Sequence, residues 1–103
     1  MPAVLVEISR FVDEHFPGFV ECTLVDARGE RHRFVEKAPV VSTANLTPAS
    51  RYPQRGSIQC RIDSEWQDGQ LGALVRVSTA EPFHIESAAG DSEFVVLASQ
   101  LQQ

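Results

Sequence analysis

Arg51-Tyr52-Pro53-Gln54-Arg55 sets one aromatic ring between two guanidinium groups, the densest recognition chemistry in the chain. Guanidinium forks suit carboxylate or phosphate, and a tyrosine ring can stack on a base or fill a pocket in a partner protein. The segment also has a purely architectural reading, in which Tyr52 packs back on the fold, Pro53 stiffens the loop and Gly56 eases entry into the next strand. Between Arg28 and Arg61 the chain carries seven basic residues against two acidic ones, while its flanks hold two basic and twelve acidic. In a chain of formal charge −5 this asymmetry marks a candidate binding face, although alternating basic residues also simply solvate the outside of a strand. The expected partner-binding residues are therefore Arg28, Arg31, Arg33, Arg51, Tyr52 and Arg55.

Other chemistry is sparser. No Gly-x-Ser-x-Gly element occurs, and the six glycines are dispersed among turns rather than gathered into a phosphate cradle. Cys22 and Cys60 occupy apolar phases of strands, where a thiol is a small core residue with a raised pKa and little nucleophilicity. His15, His32 and His84 stand singly, without the spacing of a metal site. Asp13-Glu14-His15 reads as a solvated loop, because adjacent side chains point in different directions. No catalytic residue, metal or cofactor is expected.

The elements that position these residues are strands. Phe19 to Lys37 reads as a hairpin about the turn Asp26-Ala27-Arg28-Gly29, and Asp68-Gly69 is a second hairpin signal between alternating apolar runs. A third turn, Ala88-Ala89-Gly90-Asp91, precedes Phe94 to Ser99. Expected strands cover residues 3 to 11, 18 to 26, 30 to 37, 56 to 66, 70 to 79, 82 to 87 and 93 to 99. The first also fits a helix, with Val4, Ile8, Phe11 and Val12 on one face, but its β-branched residues favour a strand. Val40-Val41 reads as a short edge segment, and 42 to 55 as a long surface connection in which Thr47 can cap a single turn. Gln100 to Gln103 reads as a polar tail.

One domain is expected, since 103 residues bury a single core. Its fold class is all-β, a small single-domain antiparallel barrel of six to seven strands, because closure removes edges that an open sheet must protect. The core list is Val20, Cys22, Leu24, Phe34, Ile58, Cys60, Ile62, Val75 and Val77, with Trp66 continuing the apolar phase. Phe94, Val95, Val96 and Leu97 are apolar on both faces, which predicts a covering second copy and hence a homodimer, through Val95 and Leu97 or through Phe94 and Val96.

Phe34-Val35-Glu36-Lys37-Ala38-Pro39-Val40, followed by Tyr52-Pro53-x-x-Gly56-x-Ile58, resembles short uncharacterised bacterial proteins and, more distantly, the β-barrel domains of elongation factor Tu. The resemblance covers about the middle third of the chain and implies a bacterial origin and a barrel fold. The phosphate-binding loop of a GTPase is absent, so nucleotide hydrolysis does not carry over. The expected function is a non-enzymatic protein-interaction module; the alternative is a weak binder of single-stranded nucleic acid, which the overall acidity disfavours. No apolar run approaches a membrane span, and a cytoplasmic location is expected.

Overall fold

A computed structural model describes residues 1–102 as two antiparallel sheets that share one core. The first sheet is built from β1 (Ala3–Asp13), β2 (Phe19–Val25), β3 (Arg31–Lys37) and β4 (Gln54–Gln59), in the order β3-β2-β1-β4. The second comprises β5 (Arg61–Asp68), β6 (Gly72–Ser78) and β7 (Glu93–Leu97), in that order. A two-residue strand, β8 (Leu101–Gln102), returns to pair with Ala3 and Val4 of β1.

The expected barrel does not close. Eight strands form two sheets, and β4 and β5, expected as one strand, part at Cys60, where the chain leaves one sheet for the other. The Cys60 amide donates to the Pro2 carbonyl at 2.9 Å, so the first sheet holds the chain up to that residue and then lets it go. Val4, Val6 and Ile8 of β1, Val20, Cys22 and Leu24 of β2, and Phe34 of β3 face inward to meet Val75, Val77, Phe94 and Val96 of the second sheet. Phe34 is fully buried and meets Phe94 edge-on at 5.7 Å between centroids. The core list holds except at Ile62, which is half-buried and packs against the cluster from its margin.

The helical alternative for the N-terminus is excluded, since β1 runs as strand for eleven residues. Residues 82 to 87 do not form the expected strand. Pro82 offers no amide to a ladder, and the following amides bond back locally, His84 to Ala80 and Ile85 to Thr79. Val40-Val41 belongs to a single helical turn, α1 (Ala38–Val41), with Pro39 in its first turn, rather than to an edge segment. Trp66 leaves the inward phase because a register shift between Ile62 and Ser64 inserts a residue and sends it to the outer face, beside Leu74. The expected polar tail forms structure at Gln100 to Gln102, Gln103 lying outside the described residues: Ala98–Gln100 forms a 3₁₀ turn, and the Gln100 side chain donates to the Val25 carbonyl while accepting from the Leu97 amide.

The β2–β3 turn has a chemical staple that sequence spacing did not reveal. Asp26 Oδ1 accepts the amides of Arg28 and Glu30, Oδ2 lies 2.8 Å from His32 Nε2, and Gly29 takes φ +83°. A type I turn followed by a left-handed glycine is the usual geometry of such a loop. The staple also joins the sheets, because the Ala27 amide donates to the Val95 carbonyl and the His32 ring meets Phe94 edge-on at 4.8 Å. Partial burial, the largest single influence on Asp26, pushes its carboxyl up; the hydrogen bonds from His32, Arg28 and Glu30 together outweigh it and hold the group below its ordinary 3.8.

Two outcomes follow for stability. Phe34→Ala should cost about 3 to 5 kcal/mol in denaturant unfolding, whereas Val35→Ala, on the exposed face of the same strand, should change stability by less than about 0.5 kcal/mol. A carboxyl depressed in the folded state contributes stability that is fully present above its unfolded value and is lost as pH falls through the folded one. The urea midpoint should therefore drop on acidification below about pH 4, and Asp26→Asn should flatten that acid limb while lowering the midpoint at pH 7. An acid limb identical in the variant would assign the loss to other carboxylates.

Candidate functional site

The register shows where the expected recognition residues lie. Arg33 of β3 stands opposite Thr23, Thr23 opposite Glu7, and Glu7 opposite Arg55 of β4, so one row crosses the outer face of the whole first sheet. Arg31 lies in the neighbouring row, opposite Val25. Three strand spacings separate Arg33 from Arg55, about 14 Å, and Glu7 stands between them. Arg33 is further occupied by Glu21, whose carboxylate it shares with Arg10 at 3.5 and 3.2 Å. Arg28 lies in the β2–β3 turn, off this row; the Asp68 carboxyl is lowered first by the amides of Leu71 and Gln70, and also by the charge of Arg28.

Tyr52 serves the fold. Its ring packs against the core cluster and its hydroxyl donates to the Thr47 carbonyl at 2.7 Å, closing the turn that Thr47 and Ser50 cap with their own side chains. Arg51 remains exposed on this loop, and Gln54 donates to its carbonyl. Arg31, Arg33 and Arg55 thus share a face, whereas Arg28, Arg51 and Tyr52 lie off it.

A feature that sequence reasoning missed is the free edge of β4. Ladder bonds in an antiparallel pair alternate along each strand. Because Cys60 bonds to Pro2, it is Ile58, Gly56 and Gln54 that exchange bonds with Val4, Val6 and Ile8. Arg55, Ser57 and Gln59 consequently turn their amides and carbonyls away from β1, and no backbone partner meets them among the described residues. They open on a groove of about 490 Å³ whose far wall is Pro39 to Thr43, with Leu5, Phe83 and Gln102 at its margins.

Gly56 sets the width of that groove. A Cβ at this position would stand 2.6 Å from Ile8 Cδ1 and 2.7 Å from the Val41 carbonyl oxygen, so the C-terminal end of α1 approaches the strand as only glycine allows.

The other edges are managed: the two-residue β8 turns its Leu101 amide back onto the Ala98 carbonyl. The Ala88 amide caps the outer edge of β3 at the Arg33 carbonyl, and Ala27 caps β7 at Val95. The edge strand β5 carries Arg61, Asp63, Glu65 and Asp68 together with its bulge, and both charge and bulges discourage strand addition. The edge of β4 has a single charge, Arg55, and no such protection.

The remaining chemical clusters are engaged in local bonds or buried. Asp26, Glu30 and His32 bring potential ligand atoms within 4.8 Å of one another, but both Asp26 oxygens are already engaged in the hairpin staple. Asp13 and His15 pair through Oδ1 and Nδ1 at 2.7 Å on the exposed loop after β1. Cys22 and Cys60 are free and buried, and burial, aided by Glu36 and Glu21, pushes the Cys22 thiol up to about 12. Burial raises Cys60 as well, so the expectation of two inert core thiols holds.

No family model matches the chain, and neither a curated protein nor a solved structure matches it.

Gly56→Ala should destabilise the protein by about 1 to 3 kcal/mol, because a backbone carbonyl cannot step aside as a flexible side chain can. Gly69→Ala, which meets nothing within 4 Å, is the matched control. Equal unfolding midpoints for the two variants would mean that α1 is free to move away from β4.

Proposed function

We propose that the protein is a non-enzymatic interaction module that engages a partner protein along the free edge of β4. The observation that carries this reading is the set of outward amides and carbonyls at Arg55, Ser57 and Gln59 beside an open groove, on the one sheet edge with neither a cap nor a charged fringe among the described residues. Extended polypeptides add to such edges through main-chain bonds, and alternate side chains then read the surroundings. Arg31 and Arg33 lie on the same outer face but on β3, at the opposite edge of the sheet, and so stand outside this contact. Single-stranded nucleic acid is the weaker reading, since a run of phosphates needs several free cations, and Glu21 already holds Arg33 while the chain as a whole is acidic.

Self-association through β7 is a separate proposal. Phe94 and Val96 face the core, which leaves half-buried Val95 and Leu97 as the pair that a second copy would meet, with the partly exposed Trp66 on the same face.

Ser57→Pro tests the β4 reading cleanly. It removes an outward donor while leaving the ladder to β1 intact, since Ser57 makes no bond to β1. With the full chain as bait in extract of the source cell, a co-purifying protein should be lost on Ser57→Pro and kept on Val95→Glu at matched stability. Loss on Val95→Glu with retention on Ser57→Pro would transfer the contact to β7.

A further inference from the structure

Resting on the β4 reading, we infer the chemical class of the partner segment: an extended stretch of alternating apolar residues with an acidic side chain where it passes Arg55. A strand laid against this edge places alternate side chains on opposite faces of the sheet. On the inner side they would meet Pro39, Val40 and Val41, an apolar wall. On the outer side they would stand level with Arg55, Ser57 and Gln59, which point outward because Ile58 and Gly56 face the core.

Arg55 is the single charged residue lining the groove; Glu7 stands opposite it on β1, but no carboxylate lies within 4 Å of its guanidinium among the described residues. A cation in no salt bridge, on the open side of an edge strand, favours an anion on the strand added there, since directly opposed unlike charges on neighbouring strands attract and like charges repel; Glu7, on the far side of Arg55, lies two strand spacings from that added strand.

This charge pattern also decides against a second copy as the occupant. The edge strand itself, Gln54-Arg55-Gly56-Ser57-Ile58-Gln59, contains no acid. Two such strands paired about a two-fold axis would bring two Arg55 side chains and no carboxylate from either strand.

The test uses the intact protein labelled with ¹⁵N and two capped heptapeptides of alternating valine and threonine, one with glutamate and one with lysine at the central position. Titration of the glutamate peptide should shift the amides of Arg55, Ser57 and Gln59 and slow their exchange with solvent, leaving β5 unmoved. It should bind about fivefold or more tightly than the lysine peptide, and Arg55→Glu should reverse that preference. Shifts at β4 of equal size with both peptides would overturn the acidic specificity while leaving strand addition standing. No shift at β4 with either peptide at millimolar concentration would overturn both. Shifts at these amides that grow with protein concentration alone, and vanish on Ser57→Pro, would make a second copy the occupant and sink the inference.

Discussion

The fold depends on β1 being paired along both of its edges. Its first six residues pair with β4 on one side; on the other, β2 takes Glu7 to Asp13 and β8 takes Ala3 and Val4. Ala3, Val4, Glu7 and Ile8 have a partner strand on both sides, and a strand held in this way gives up its backbone bonds only when the whole sheet opens. The N-terminal segment is therefore the hub of the first sheet, although a linear reading makes it the element most easily mistaken for a helix. Its inward Val4, Val6 and Ile8 give the second sheet an apolar floor, and its place in the middle puts β4 on the outside.

The sheets are held in register by a few polar contacts at one end. The Asp26 staple shapes the β2–β3 turn so that Ala27 can bond to Val95 and His32 can lie against Phe94, while Gln100 ties the exit of β7 to Val25. These groups lie beside the apolar core, where a missing partner would leave a desolvated donor or acceptor. At the other end, Cys60 carries the chain directly from one sheet to the next, and that short passage fixes the offset between them. A closed barrel would need a strand to bridge β3 or β4 to the second sheet, and residues 82 to 87, the expected source of one, spend their amides on local turns.

Much of this was legible in the residues. Alternation located seven of the eight strands in whole or part, and the Asp-Gly and Gly29 turns fixed both hairpins, because these signals act between neighbours. What escaped was long-range. The bulge at Ile62 to Ser64 reverses the phase of Trp66, and nothing in the local pattern announces it. The sheet order that leaves β4 free depends on β1 choosing β2 and β4 as partners across gaps in sequence. The segment flagged for recognition, 51 to 55, was half legible: Arg55 lies at the open edge, whereas Tyr52 is committed to Thr47. Glu21, which takes up Arg33, could have been suspected from its outward phase, but its pairing required knowing which strand stood beside it.

An unpaired edge in a small β protein is a hazard unless something limits what can pair with it. Here β3 and β7 are capped and β5 is charged, so the openness of β4 is local and is not a general property of the molecule. The same strand is where packing is tightest, since Gly56 admits the Val41 carbonyl against its backbone. Widening that contact would pull α1 off the core, where Ala38 and Val41 are buried; filling the groove with a larger side chain at Gly56 would do the same. The groove and the core are thus bounded by the same atoms, so the width available to a guest strand is set by the packing that holds the first sheet to α1, and an occupant must match a shape the core has already fixed.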